Sequence, residues 1–229
     1  MILIRHTRRV SRADVRRAGG PGSRSAVQTF ALVPVWTPVL VSMLMLGLVG
    51  LALPARAGVE EGRIKAEVCR PCHGVDGNSP TSTIPSLAGQ PRQFITMALY
   101  MFREGRRNNP LMAPVSAGLS NTDLNDLAAY FSAQKMAVPA RQADAATVAK
   151  GRAITAANNC VACHTPTLVG QQHIPRLAGQ HQPYLLEQLK AFKAGTRVEF
   201  DGTMTSAAQG LAVEDLELLS DYLATLSSP

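Results

Sequence analysis

The chain has 229 residues, of which 46% are hydrophobic and 17% are charged. This composition excludes an intrinsically disordered protein, and the length accommodates one or two domains. The formal charge of +7 comes from residues 1–57, which hold eight of the 23 basic residues and one of the 16 acidic residues. Residues 58–229 are therefore electrically neutral, and this excludes a nucleic-acid-binding protein.

Residues 1–57 have the pattern of an export signal. An arginine-rich segment ends at Arg24, the most apolar stretch follows at 39–53, and residues 55–57 (Ala-Arg-Ala) match the small-x-small pattern of a cleavage site. An uncleaved anchor is the alternative, but this apolar stretch forms only about 22 Å of helix against a hydrocarbon core of roughly 30 Å. We expect a cleaved signal peptide, a mature chain from Gly58 and a periplasmic location. An uncleaved anchor would associate the protein with a membrane surface.

The motif C-x-x-C-H follows at residues 69–73, and it recurs at 160–164, so that the two copies use all four cysteines. This motif is the signature of covalent c-type haem attachment. Two thiols three residues apart lie on one helical turn, where each can add to a porphyrin vinyl group, and the next residue then presents its imidazole to the iron. We predict two covalently bound haem c groups, with Cys69, Cys72, Cys160 and Cys163 as attachment residues and His73 and His164 as axial ligands.

Three other uses of the four cysteines are open to an exported protein. They are two disulfides, a redox-active C-x-x-C pair and a tetrahedral zinc site. The redox alternative has no use for a histidine after each pair, and export favours haem over zinc.

The surroundings of the two motifs repeat as well. Residues 84–90 (IPSLAGQ) match residues 174–180 (IPRLAGQ), and the similarity continues to the end of each unit. We therefore predict two homologous domains, 58–140 and 141–229, with their junction near residues 138–147. Each is small for an independent hydrophobic core, and a covalent haem supplies the missing apolar mass.

The hydrophobic pattern within each unit is helical. Residues 91–105 carry a broad apolar stripe that ends in a glycine, and their counterpart ends at Gly195. A capping-box-like start at residues 120–123 precedes a predicted helix at 124–133, which corresponds to 214–226 in the second unit. Alternating strand patterns are absent from the sequence, and the predicted fold class is all-α.

Two further pairs of matched residues are predicted to shape the haem sites and the helix packing. The prolines of the repeated motif, Pro85 and Pro175, are candidates to pack against the axial imidazoles. The glycines that open each unit, Gly62 and Gly151, are predicted to let the first helix of each domain cross closely against a tyrosine of the last helix.

The second axial ligand decides between an electron carrier and a catalyst. Met204 is the one methionine of the second unit, and the repeat places Met112 opposite it, at 39 and 40 residues from the motif histidines. We predict that Met112 and Met204 lie in loops and ligate iron. His173 and His181 are alternatives, but their counterparts in the first unit are a threonine and a proline. His/Met ligation leaves no open position on the iron and suits outer-sphere electron transfer.

A basic cluster lies at the end of the first apolar helix, with a counterpart in the second unit. Its members are Arg103, Arg106 and Arg107, matched by Lys190, Lys193 and Arg197. Such a cluster is a candidate for docking an acidic partner through electrostatic steering. The alternative is a solvated helix end, where positive charge stabilises the helix.

Paired C-x-x-C-H motifs, each followed by P-x-L-A-G-Q, an aromatic helix, a glycine and a methionine seven residues before a leucine, resemble the dihaem cytochrome c4 family. The resemblance covers nearly all of residues 58–229. It implies two tandem class I cytochrome c domains, each wrapped around a covalent haem, with the haem propionates facing each other across the interface. One difference is that the second motif continues with residues 165–167 (Thr-Pro-Thr) in place of a glycine.

The same resemblance implies a periplasmic carrier of single electrons in a respiratory chain, and not an enzyme. Its partners would be redox proteins: a membrane cytochrome complex, a terminal oxidase or a periplasmic dehydrogenase. The alternative is the haem-bearing electron-transfer subunit of a periplasmic dehydrogenase, of the flavocytochrome c type. A dihaem peroxidase would need one iron with an open or displaceable ligand, and two matched methionines argue against it.

Overall fold

The computed structural model describes residues 54–227, and these residues form helices and connecting loops. Their one β-bridge joins Gln171 to Ile174, so the all-α prediction is confirmed. The predicted signal peptide and the alternative anchor lie outside the described residues, apart from residues 54–57. None of the described helices combines the length and the hydropathy needed to cross a membrane.

The first half of the described chain contains five α-helices. In chain order they are α1 (Pro54–Lys65), α2 (Arg70–His73), α3 (Arg92–Arg103), α4 (Met112–Ser116) and α5 (Asn121–Ser132), with a 3-10 turn at Ala66–Val68 between α1 and α2. Helices α1 and α3 both pack on α5. The predicted capping box is confirmed, because the Asp123 N–H donates to Ser120 Oγ and the Ser120 N–H donates to the Asp123 carboxylate.

The second half repeats this arrangement with five further helices. They are α6 (Ala145–Ala157), α7 (Cys160–His164), α8 (Gln182–Lys193), α9 (Thr203–Gln209) and α10 (Asp215–Ala224). Helices α6 and α8 pack on α10 as α1 and α3 pack on α5. The buried apolar side chains form two clusters, one drawn from residues 59–131 and the other from residues 148–226. The exact domain limits at 140 and 141 stay a prediction.

The close helix crossings predicted from the two glycines are confirmed. A Cβ atom on Gly62 would lie 2.0 Å from the carbonyl oxygen of Asp126 and 2.7 Å from the Cβ of Tyr130. A Cβ atom on Gly151 would lie 2.2 Å from the ring of Tyr222. The first helix of each half therefore packs with its glycine backbone directly against the last helix, on the Asp126 carbonyl group and Tyr130 in the first half and on Tyr222 in the second.

Candidate haem sites

The first C-x-x-C-H motif lines a cavity of about 230 Å³. Cys69, Cys72 and His73 contribute from the turn at α2, and Met112 contributes from α4. The rest of the wall is mainly apolar, with members such as Ile84, Phe94, Leu99, Phe102, Leu127 and Phe131. Burial raises the pKa of the Cys69 thiol to about 11, so this thiol is protonated at neutral pH.

The second motif lines a separate and smaller cavity of about 70 Å³. Cys160, Cys163 and His164 contribute from α7, and Met204 contributes from α9. The structure thus brings together the two cysteines, the histidine and the methionine that the sequence singled out in each unit. Their roles in haem attachment and iron ligation stay predictions.

Both motif histidines are held by the backbone of the repeated motif. The Nδ1 atom of His73 lies 2.8 Å from the carbonyl oxygen of Pro85, and the Nδ1 atom of His164 lies 2.8 Å from that of Pro175. Because a carbonyl oxygen only accepts, Nδ1 carries the proton in both rings and Nε2 keeps a lone pair for a metal. Burial lowers the pKa of both imidazoles and favours this neutral form. The prolines act on the imidazoles through these carbonyl groups.

The two candidate methionines begin short helices, and the loops that we predicted for them are wrong. Met112 is the first residue of α4, and its N–H donates to the side-chain oxygen of Asn109 at 2.9 Å. Met204 is the second residue of α9, where the Thr203 N–H donates to Asp201 Oδ1 at 3.1 Å. The signal that sequence reasoning missed is this Asn or Asp, whose side chain accepts a backbone N–H two or three residues further on and forms a turn just before each helix.

The alternative uses of histidine and cysteine find no support in the described residues. His173 is exposed, His181 places Nε2 3.0 Å from the Ser79 carbonyl oxygen, and neither residue lines either cavity. All four cysteines are free, which disfavours the disulfide alternative. In residues 54–227, no three His, Cys, Asp or Glu side chains are arranged to hold a metal ion.

Two glutamines that the sequence analysis did not single out join the two repeated motifs. Gln90 Nε2 donates to the Arg176 carbonyl at 3.1 Å, and Gln90 Oε1 accepts the Arg176 N–H at 3.0 Å. Gln180 forms the mirrored pair with Ser86, donating to its carbonyl at 2.9 Å and accepting its N–H at 2.8 Å. Both glutamines are only 3% exposed. Their repetition at the end of each P-x-L-A-G-Q segment was the available signal.

Three arginines also line the first cavity, and they have no acidic partner among the described ion pairs: Arg107, Arg176 and Arg197. Arg107 and Arg197 belong to the basic cluster of the sequence analysis, but both are partly buried and share the side-chain oxygen of Gln188 at 3.1 and 2.6 Å. They are therefore neither a solvated helix end nor a free docking surface. Burial lowers the pKa of Arg176 and of Arg197 to about 10, which leaves both charged at neutral pH.

Two of these arginines have hydrogen-bond donors that a haem would satisfy. The Nε atoms of Arg176 and Arg197 are buried and have no hydrogen-bond partner among residues 54–227. An unpaired buried donor on a cation costs free energy, and a carboxylate is its natural partner. Haem c carries two such carboxylates as propionates. An apolar wall, two thiols, a neutral imidazole, a thioether and unpaired arginine donors together fit this group.

Comparisons with known proteins agree with this geometry. The cytochrome c family model matches residues 148–227. Cytochrome c4 of Pseudomonas aeruginosa is 39% identical over 200 residues, which is 82% of this chain and 98% of the relative. The thiosulfate dehydrogenase electron acceptor of Stutzerimonas stutzeri is 32% identical over 172 residues, covering 70% of this chain and 80% of the relative.

Among solved structures, reduced cytochrome c4 from Pseudomonas stutzeri matches with a TM-score of 0.68 and 35% identity. The match covers 74% of this chain and 98% of that chain. With repeated haem motifs, an all-α fold and relatives that are similar over nearly their full length, this chain belongs to the cytochrome c4 family of dihaem electron carriers, two tandem class I cytochrome c domains that each bear a covalently bound haem c.

Proposed function

We propose that this protein moves single electrons between redox proteins through two six-coordinate haems. His73 and Met112 ligate the first iron, and His164 and Met204 ligate the second. Cys69, Cys72, Cys160 and Cys163 form the thioether bonds. The observation that carries this proposal is that each cavity is lined by the complete set of two cysteines, one histidine and one methionine from a single repeat unit.

The bound haem supplies an iron that changes oxidation state by one electron. Nε2 of His73 and the sulfur of Met112 would hold the iron of the first haem, and Nε2 of His164 and the sulfur of Met204 would hold that of the second. The apolar wall excludes water, and the hydrogen bond at Nδ1 fixes the orientation of each imidazole. A histidine and a methionine on each iron would leave no site for a small substrate, so the proposal does not include peroxidase activity.

A carbon monoxide difference spectrum of the reduced holoprotein tests the methionine ligands. We expect neither haem to bind carbon monoxide, because both axial positions are filled. Met112→Ala and Met204→Ala should each open one haem, so each variant should bind about half as much as the double variant. Met101→Ala is the control. Met101 is a buried methionine on α3, and its replacement should leave both haems closed. Ready binding by the unmodified protein would overturn the ligand assignment.

We further propose that the protein works in the periplasm after cleavage before Gly58. The export signal in residues 1–57 supports this location. N-terminal sequencing of the protein recovered from osmotic-shock fluid tests it, with Gly58 as the expected first residue. A mature protein that retains residues 39–53 and sediments with membranes would favour the uncleaved anchor.

The electron donor is proposed to be a periplasmic dehydrogenase or a membrane cytochrome complex, and the acceptor a terminal oxidase. The similarity to a thiosulfate dehydrogenase electron acceptor favours one second candidate, in which this chain accepts electrons directly from such a dehydrogenase. Stopped-flow reduction of the oxidised holoprotein by purified thiosulfate dehydrogenase with thiosulfate distinguishes the respiratory-chain role from this second candidate. Fast saturating reduction supports the dehydrogenase partner, and no reduction over minutes leaves the respiratory-chain role.

A further inference from the structure

The two interdomain glutamines meet the backbone at the same peptide groups that hold the axial histidines. In the first half, this group is the peptide that joins Pro85 to Ser86. Its carbonyl oxygen accepts the Nδ1–H of His73 at 2.8 Å, and its N–H donates to Gln180 Oε1 at 2.8 Å. One peptide group therefore links the imidazole of one domain to a side chain of the other.

The second half contains the mirrored connection. The peptide that joins Pro175 to Arg176 accepts the Nδ1–H of His164 at 2.8 Å, and its N–H donates to Gln90 Oε1 at 3.0 Å. Both chains of hydrogen bonds are buried or partly buried, where such chains polarise one another more strongly than in water.

We propose that Gln180 and Gln90 are positioning residues that tune the haem of the opposite domain. An acceptor at the peptide N–H increases the dipole of that peptide, so its carbonyl oxygen accepts more strongly from the imidazole Nδ1–H. The imidazole becomes a more electron-rich ligand and stabilises oxidised iron, which lowers the reduction potential. Gln180 thereby lowers the potential of the haem at Cys69 and Cys72, and Gln90 that of the haem at Cys160 and Cys163. The inference rests on the histidine ligation proposed above.

The orientation of each glutamine amide supports an effect on the histidine of the opposite domain, in addition to its role in holding the two domains together. Gln180 Nε2 donates to the carbonyl oxygen of Ser86 at 2.9 Å while its Oε1 faces the N–H of the same residue. Gln90 contacts Arg176 in the same two ways, at 3.1 and 3.0 Å. Two bonds to one residue leave the amide a single orientation, with its oxygen held on the N–H that continues to the imidazole.

The pseudo-symmetry of the molecule provides a matched pair of variants. Spectroelectrochemical titration of the holoprotein resolves two one-electron steps, which haem-methyl NMR signals assign to the two haems. We expect Gln180→Leu to raise the potential of the first haem and to leave the second unchanged. Gln90→Leu should do the reverse. An equal shift of both reduction potentials in either variant, or no shift, would overturn the proposal. Weaker contact between the domains alone would not change the potential of one haem and leave the other unchanged.

A second readout follows the hydrogen bond itself. In the reduced, diamagnetic holoprotein, the Nδ1–H proton of His73 should shift upfield in Gln180→Leu, since its acceptor is weakened, and the same proton of His164 should not shift. Gln180→Asn, which keeps the amide but shortens its reach by one methylene, serves if the leucine variant fails to fold, with a smaller shift expected. An error in the ligand assignment would show in the unmodified protein, whose spectrum would lack the strongly shifted protons of an iron-bound histidine.

Discussion

At the scale of single residues, the absence of a side chain sets how closely the first and last helices of each domain approach. In the first domain Gly62 leaves no room for a methyl group, because a Cβ atom there would meet the Asp126 carbonyl oxygen at 2.0 Å. We expect Gly62→Ala to push α1 away from α5 and to lower the free energy of unfolding by about 1–3 kcal/mol. Guanidinium unfolding of the holoprotein, followed by circular dichroism, measures the change.

Gly118→Ala is the matched control. No heavy atom of the described residues lies within 4 Å of a Cβ atom built on Gly118, so this substitution should change stability by less than about 0.5 kcal/mol. An equal loss in both variants would mean that the close crossing of α1 and α5 does not determine the cost.

At the scale of elements, the helices with long apolar stripes and clear caps were predictable, and the short ones were not. The apolar stripe at 91–105 and the capping box before α5 depend on local sequence alone, and both predictions hold with shifts of a few residues. Helices α4 and α9 have only five and seven residues, too few for a periodic hydrophobic signal. The local feature that the sequence offers is the turn before each of them, in which an Asn or Asp side chain accepts a backbone N–H.

The capping box of α5 also makes stability depend on pH. Lys65 and Ser120 hydrogen-bond to Asp123 and hold the pKa of its carboxyl group well below the usual value of about 3.9. The charged carboxylate therefore stabilises the folded state above about pH 4, and this contribution is lost as the pH falls through the lowered pKa. We expect Asp123→Asn to cost about 1 kcal/mol at pH 7 and progressively less towards pH 2.

Thermal unfolding of the holoprotein at several pH values measures this difference. Glu61→Gln is the control, since Glu61 is an exposed carboxylate of α1 outside the ion pairs of the described residues. Its effect should be small at every pH. A cost for Asp123→Asn that stays constant down to pH 2 would show that the charge of the carboxylate contributes nothing.

At the scale of the whole molecule, the repeat predicted two similar halves, and the interface makes them unlike. The first cavity is bordered by residues of both halves, including Arg176 and Arg197, whereas the described residues that line the second all lie within 155–223. Sequence matching found the cysteines, histidines and methionines because each set lies within one unit. It missed Arg176, the partial burial of Arg107 and Arg197, and the interdomain glutamines, because their surroundings are fixed only when the domains dock.

The unlike halves also differ in the apolar surface that they offer to a partner. Val68, Leu111 and Val115 border the first cavity, and the protein atoms alone leave them 62%, 70% and 40% exposed. None of the large hydrophobic side chains that are exposed in residues 58–227 lines the second cavity. An exposed apolar rim beside a redox centre suits a transient protein contact. We therefore expect a partner to exchange electrons first with the haem of the first domain.

Leu111→Lys tests this expectation because a lysine at the rim must lose hydration when a partner covers it. The second-order rate of electron exchange with the partner should fall about tenfold, equivalent to about 1.4 kcal/mol. Val138→Lys is the control, since Val138 is 82% exposed, lines neither cavity and adds the same charge. Stopped-flow mixing at two ionic strengths separates the local effect from long-range charge. An equal slowing by both variants would assign the effect to net charge, and no slowing by Leu111→Lys would place electron entry away from the first haem.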